Sequence, residues 1–351
     1  MATFSQESFQ ALVARHQSEL RLHCYRMLGS SHDSEDVLQE ALLRAWRAID
    51  SLQDPARARA WLYRIATNVC LDELARRRTR GLPVDVCPPA NPHGGIAPPD
   101  REAFIEPCPD AWFANVISDP AARYETSECV ALAFVAALHH LTPAQRATLL
   151  LRDVVGLSAE ETAEALDFSL EATNSALFRA RSAVEAKLKG RNPADFARPS
   201  AGADALLARY LRAWHELDVE AFVMLLHDEV RTTMPPSPTW IAGRADNAAF
   251  YRSMFAVQRP GSFCALPTTA NGQPAFAFYR SLAEGEPRRL RAIHLVELRD
   301  DAIVSIDHFM LPELGSIFGL PDALDAGSSA VALDARPCSV VAMEALRNIK
   351  V

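Results

Sequence analysis

The sequence predicts a multidomain chain: two small all-α domains, then a C-terminal α+β domain whose helices and curled antiparallel sheet form a cone around a hollow. Three observations predict this. Apolar residues recur at helical spacing through most of the stretch from Ser5 to Lys189. A run rich in proline and glycine, GLPVDVCPPANPHGGIAPPD from Gly81, divides that stretch in two. Beyond Leu226 the rhythm changes to short strand-like runs separated by turn residues.

Length and charge set the outer bounds. The 351 residues suffice for two or three domains, and 49% are hydrophobic, enough for sizeable cores. No apolar run is long enough to span a bilayer. The start, MATFSQESFQ, lacks the basic and apolar blocks of a signal peptide, so a cytoplasmic location is expected. The seven cysteines form no CxxC pair, which predicts reduced thiols and no zinc site; neither metal nor cofactor is expected. The net charge of −8 is unevenly placed. From Arg57 to Arg80 seven arginines stand against Asp72 and Glu73, whereas between Gly81 and Asp119 six carboxylates stand against Arg101 alone. Local fields of this kind, not the total, decide where a polyanion binds.

The first helix is predicted over Ser5 to Leu28, where Phe9, Leu12, Val13, His16, Leu20 and Cys24 keep the helical rhythm. Gly29-Ser30-Ser31 ends it. The second starts near Asp33 with an acidic first turn and buries Val37, Leu38, Ala41, Leu42, Ala45 and Ile49. Asp54-Pro55 supplies a cap followed by proline at the first helical position. The third helix then runs to about Arg80, with Trp61, Leu62, Ile65, Ala66, Val69 and Leu74 inward. Aromatics interleaved with arginines on this helix suit unpaired bases and their phosphates, although Trp61 would serve equally as core. Residues 81–123 are expected to be an acidic linker. Fully extended, about forty residues span on the order of 130 Å.

The second helical domain is placed at 124–192. Thr142-Pro143-Ala144-Gln145 opens one of its helices with a cap, a proline and a glutamine. Gly156 ends that helix. The stretch SAEETAEALDFSLEATNSALFRAR from Ser158 then reads as two short helices and a tight turn. Ser158 and Glu161 have capping-box spacing, and Ser169 caps the second helix. The second helix carries Arg179, Arg181, Lys187, Lys189 and Arg191 against Glu185, the pattern of a helix-turn-helix that enters a major groove.

The third domain, at 203–320, opens with a helix from Ala203 to Leu226. Strands are predicted over Val230–Met234, Gly261–Thr269, Ala275–Leu282, Leu290–Arg299 and Ala302–Leu311, with a helix from Arg244 to Phe255 and a hairpin turn at Asp300-Asp301. The tail, 321–351, carries no assigned role. Trp214, Met234, Trp240, Phe255, Tyr279, His294 and Asp307, with His308 nearby, are the candidate lining of a hollow. A carboxylate there could act as a base if its pKa were raised, but no signature fixes a nucleophile or proton donor, and no catalytic residue is assigned.

Three blocks taken together resemble a known family. DSEDVLQEALLRAW (33–46), ARAWLYRIATNVCLDELARRRTR (58–80) and LTPAQRATLLLRDVVGLSAEETAEAL with VEAKL (141–188) are similar, in order and spacing, to the extracytoplasmic-function sigma factors of bacterial RNA polymerase. YLRAWHELDVEAFVMLLHDEVRTTMPPSPTWIAGRADNAAFY resembles a SnoaL-like domain of the nuclear-transport-factor-2-like superfamily. The resemblance implies a region 2 bundle at 1–80, a region 4 helix-turn-helix at 124–192 and a SnoaL-like regulatory domain. It implies core RNA polymerase (the β′ coiled coil and the β subunit) and promoter DNA as partners, no enzymatic activity and no membrane.

Residue by residue, it assigns Asp36, Gln39, Glu40 and Arg44 to the polymerase. Trp61, Tyr63, Arg64, Asn68, Arg76, Arg77, Arg78 and Arg80 go to the minus-ten element. Ser158, Asn174, Ser175, Arg179 and Arg181 go to the minus-thirty-five element, with base contacts from Asn174 and Ser175. Many relatives carry Lys or Arg early in that recognition helix. Asn174 and Ala176 hold those places here and Glu171 adds a negative charge, so direct readout is expected to be weaker or differently specified. The alternative is a pocket enzyme, or a sensor of a small-molecule ligand, fused to a DNA-binding module.

Overall fold

In the computed structural model, residues 6–52, 54–113, 131–189, 203–299 and 301–326 are described. They divide into two compact units, Met1–Gly81 with Ile105–Arg191 and Leu82–Phe104 with Asn192–Val351.

The helical unit begins with α1 (Gln6–Leu28), α2 (Ser31–Arg47) and α3 (Ala58–Leu74). Ser30 caps α2 by accepting from the Asp33 amide, three residues ahead of the start predicted near Asp33. Asp54 caps a single 3-10 turn, Pro55–Arg57, that leads into α3. Helix α3 ends at Leu74, so Arg76, Arg77, Arg78 and Arg80 lie in the irregular chain beyond it, not on the helix as predicted. Next come α4 (Leu132–Leu138), α5 (Pro143–Leu149), α6 (Ala159–Leu166) and α7 (Leu170–Leu188). Both capping boxes read from the sequence are present, at Thr142/Gln145 and Ser158/Glu161. Asp167 makes the α6–α7 turn in the left-handed region (φ 55°), and Ser169 caps α7.

All seven helices described in this unit share one apolar cluster, from Leu20 and Leu38 through Leu62 and Leu151 to Leu177 and Ala180. Two features weld its parts. Gly29 has φ +68°, and a Cβ there would fall 2.6 Å from the His139 ring, so only glycine fits. Arg146 is buried and donates to the carbonyls of Leu138 and Leu141 and to that of Met27 in the last turn of α1. Burial pulls its pKa down to about 10, which still leaves it charged.

The second unit contains α8 (Ala203–Glu216), α9 (Val219–Val223), β1 (Leu226–Thr233), β2 (Trp240–Ala242), α10 (Arg244–Ala256), β3 (Phe263–Ala270), β4 (Gln273–Arg280), β5 (Arg288–Arg299), β6 (Ala302–Phe309) and β7 (Ala323–Leu324). The helix predicted over Ala203 to Leu226 is broken: Leu217 turns left-handed (φ 58°) and Asp218 caps a new helix. The strand order is β2-β1-β6-β5-β4-β3, with β7 on β5. One pair corrects the antiparallel expectation: β1 runs parallel to β6, Thr232 opposite Ile306. Asp301 sits left-handed (φ 58°) in the β5–β6 turn, whose Asp300 lies outside the described residues.

Phe276, Phe278, Val296 and Ile306 point from the sheet into one apolar core with Tyr210, Trp214, Phe222 and Tyr251 from the helices. Trp214 fills the centre: eight rings lie with centroids 4.9 to 6.4 Å from its own.

Residues 82–104 depart from the expectation of a free tether. The Ile105 amide donates to the Gly81 carbonyl at 3.0 Å and shuts a neck, and the 23 residues between belong to the second unit. There they lie along β2 and the preceding turn. The Trp240 indole donates to the Cys87 carbonyl at 2.8 Å, and the Ala90 amide donates to the Trp240 carbonyl at 2.8 Å. The Ala97 amide donates to Thr239 Oγ1 and the Asp100 amide to the Pro236 carbonyl. Arg101 pairs with Glu313. Beyond the single helical turn Pro83–Val86, proline and glycine prevent a regular element, so these backbone groups find partners on a strand edge instead.

Candidate nucleic-acid interface

Arg57, in the turn before α3, and Trp61, Arg64 and Asn68 on the helix lie along one face, about one turn apart. Arg64 and Asn68 are exposed, and Trp61 is half-buried with its indole N–H on Ser51 Oγ at 3.2 Å. They line a groove of about 520 Å³ between α3 and α6, with Leu52, Ile65 and Ala165 as its apolar floor.

Tyr63, assigned with them, points the other way. It is buried, its hydroxyl donates to Glu19, and the Arg59 guanidinium lies over its ring at 5.1 Å. Arg80 is also buried, because Asp33 (2.6 Å) and Glu106 (3.7 Å) hold it. Arg77 divides itself between Asp33 and Glu73. Of the arginine run, Arg76 and Arg78 stand most clearly in solvent.

Glu106, which the sequence placed in the linker, is central to this unit. Its carboxylate accepts from Ser30 Oγ (2.8 Å), Ser31 Oγ (3.2 Å), and the His32 amide and ring (3.2 Å each) at the N-terminus of α2. Burial would raise its pKa, but the His32 hydrogen bond, the Arg80 charge and Ser30 outweigh that and bring it down to about 2.

On α2 itself, Asp36 and Gln39 are exposed, and Arg44 links Glu40 (2.8 Å) to Asp72 of α3 (2.9 Å). The sequence reading missed Leu43, exposed on the same line one turn beyond Gln39 and Glu40. Leu43 falls outside the buried stripe read from the sequence, but an exposed apolar side chain carries no signature of its own.

Helix α7 buries Thr173, Ala176, Leu177, Ala180 and Val184 and turns Glu171, Asn174, Ser175, Phe178 and Arg179 outward. Arg179 reaches back to Ser175 Oγ at 3.3 Å. Arg181 is held bidentate by Asp153, and the Ser158 hydroxyl is occupied as a helix cap. Phe178 was not singled out from the sequence. It is 74% exposed, with no core role to explain it, one turn beyond Asn174.

The seven candidate pocket residues do not line one hollow: Phe255 and His294 pack on Trp214 within the filled core, and Trp240, Tyr279 and Asp307 lie elsewhere. Trp214, Met234 and Phe255 belong to the core, Trp240 holds the 82–104 segment, and Asp307 and Tyr279 lie on the opposite sheet face, bonded to Thr233 (2.6 Å) and to the Pro321 carbonyl (2.8 Å). His294 and His308 form a closed chain instead: Tyr210 Oη to His294 Nδ1 (2.9 Å), His294 Nε2 to His308 Nδ1 (2.8 Å), and His308 Nε2 to Tyr251 Oη (2.7 Å). Burial holds both imidazoles neutral, with His308 down to about 3.

Among the described residues, no group of His, Cys, Asp and Glu could hold a metal ion, and no helix is long and apolar enough to cross a membrane.

These faces and this architecture define a sigma-70-type DNA-binding protein. Residues 12–80 match the family model for Sigma-70 region 2, residues 131–184 that for Sigma-70, region 4, and residues 207–306 that for a SnoaL-like domain. The chain is 38% identical over 317 residues to the ECF RNA polymerase sigma factor SigG of Mycobacterium tuberculosis, covering 90% of this chain and 85% of that one. It is 31% identical over 184 residues to the ECF RNA polymerase sigma-E factor of Escherichia coli, 52% of this chain and 88% of that one. The crystal structure of the M. tuberculosis extracytoplasmic function sigma factor SigJ shares the fold, with a TM-score of 0.57 at 21% identity over 90% of this chain and all of that one. The chain belongs to the extracytoplasmic-function sigma factors of RNA polymerase.

Proposed function

We propose that the chain is a promoter-specificity subunit whose C-terminal unit regulates it from within. Helix α2, through Asp36, Gln39, Glu40, Leu43 and Arg44, meets core RNA polymerase. The α3 face takes the opened minus-ten strand through Trp61, Arg64 and Asn68, with Arg76 and Arg78 on phosphate. Helix α7 enters the major groove of the minus-thirty-five element with Asn174, Ser175 and Arg179. The observation that carries the regulatory part is the seating of residues 82–104 along β2. An acidic connector held there is withheld from the positively charged path it would otherwise follow in the polymerase. Regulation suits this unit better than catalysis, since its two buried histidines are satisfied by each other and by two tyrosines.

Run-off transcription with purified core polymerase tests both parts. The full chain is expected to start RNA synthesis on at least one promoter of its own genome; silence on a genomic library would sink the reading. Trp240→Ala, which removes the donor to Cys87, is expected to change the yield several-fold. Identical transcription from the variant, and from a chain truncated after Pro199, would remove the regulatory role.

Phe178 adds a readout. An apolar ring on the outer face of a recognition helix suits a thymine methyl. Replacing one thymine of the bound element with uracil is expected to weaken binding by about 1 kcal/mol, and Phe178→Ala to abolish that difference. A uracil effect of equal size in both proteins would exclude the contact.

A further inference from the structure

We propose that Arg57 and Arg64 form a fork for one backbone phosphate of the opened DNA strand, and that Glu164 of α6 occupies this fork in the free chain. The proposal rests on the promoter-subunit reading above and adds to it a phosphate site and its resident competitor.

The geometry is that of one anion between two cations. Arg57 Nη2 lies 2.6 Å from Glu164 Oε2, and Arg64 Nη1 lies 3.6 Å from Glu164 Oε1. Two guanidinia on the two oxygens of a carboxylate is also how guanidinia take the oxygens of a phosphate. The fork stands at the rim of the α3–α6 groove, beside Trp61, Ile65 and Asn68, where an unstacked base would have an apolar floor and an aromatic wall.

Glu161, the other acid of the groove, is committed to its own helix: it accepts from the Ser158 amide at 2.8 Å in the capping box. Among the described residues Glu164 pairs only with Arg57 and Arg64. All three side chains are about half exposed, at 54%, 49% and 52%, and ion pairs so exposed add little to stability. Glu164 is therefore placed where it blocks a ligand, not where it holds the fold.

Its departure follows from promoter geometry. Elements named minus ten and minus thirty-five lie roughly 25 base pairs apart, about 85 Å of duplex. Helix α6 cannot stay against α3 while α7 reads the distal element, so gripping both empties the fork as the strand arrives.

The test uses the full chain and a fluorescently labelled oligothymidylate strand. Glu164→Gln is expected to bind it about fivefold tighter at low salt, with the slope of log affinity against log salt steeper by about 0.7, one phosphate's worth. Arg57→Ala or Arg64→Ala in the Glu164→Gln background is expected to erase the gain. Thermal melts check that each variant is folded, with midpoints expected to match the parent. Equal affinity of Glu164→Gln and the parent, or a gain that survives loss of either arginine, overturns the fork. Run-off transcription by the unaltered chain separates the layers. If it succeeds while Glu164→Gln binds no tighter, only the fork is wrong; if it fails, the promoter-subunit reading falls and takes the fork with it.

Discussion

Trp214→Ala is expected to cost the C-terminal unit about 3–5 kcal/mol, the range for deleting a large buried aromatic. Trp214 is 4% exposed and is the one ring that touches helices α8, α9 and α10 and strands β3 to β6 at once. Its removal opens a hole that no single neighbour can fill. Small domains have about 5–15 kcal/mol in total, so the variant should leave this unit marginal while the helical unit melts as before. Trp214→Phe, which keeps a ring in place, should lose clearly less. Denaturant unfolding followed by near-ultraviolet circular dichroism reads both. A loss below about 1 kcal/mol for the alanine variant would mean that the cone does not depend on this ring.

Acid should act on the same unit through the two histidines. Burial holds His308 and His294 neutral in the fold, His308 with a pKa of about 3 against an ordinary 6.5. The unfolded chain therefore binds more protons than the folded chain between those values, and stability must fall as pH drops from about 6.5 towards 3. For His308 alone the loss over that window is on the order of 5 kcal/mol, and His294 acts in the same direction. Above pH 7 neither contributes a slope. His308→Gln, which keeps a hydrogen-bonding side chain but cannot titrate, is expected to be less stable at pH 7 yet lose less between pH 6.5 and 4. A parent protein whose C-terminal transition is flat over that range would show that these imidazoles are not neutral and buried together.

How far the sequence could be read depended on whether a feature was local. Capping boxes are local: Ser158 with Glu161 and Thr142 with Gln145 gave the starts of α6 and α5 to the residue. The helix-turn-helix followed, because Asp167 and Ser169 fix its turn within three residues. Strand alternation located β3 to β6 but named no partners, so the parallel β1–β6 pair was invisible, and the three residues of β2 were too few to show a period. The interfaces were legible in chemistry and not in direction. Arginine-rich composition pointed to the α3 stretch but not to which side chains face solvent: Arg80 and Tyr63 turn inward, while Arg57, in the turn before α3, shares the groove face. Phe178 and Leu43 fall outside the buried stripes and went unassigned, because a single exposed apolar residue carries no motif. Pro/Gly composition argued against long elements in 82–104, where only the turn Pro83–Val86 is helical, but said nothing about where its amide groups would find partners.

The shut neck at Gly81 and Ile105 has a mechanical meaning. It takes 23 residues out of the path by which one DNA-reading module is leashed to the other, so the leash in the free chain is far shorter than its sequence. Opening that neck, and peeling the segment from its strand edge, pays out up to about 80 Å of slack. Under the regulation proposed above, reach along a promoter becomes something the third module rations, by holding or releasing cord, with no need to touch DNA.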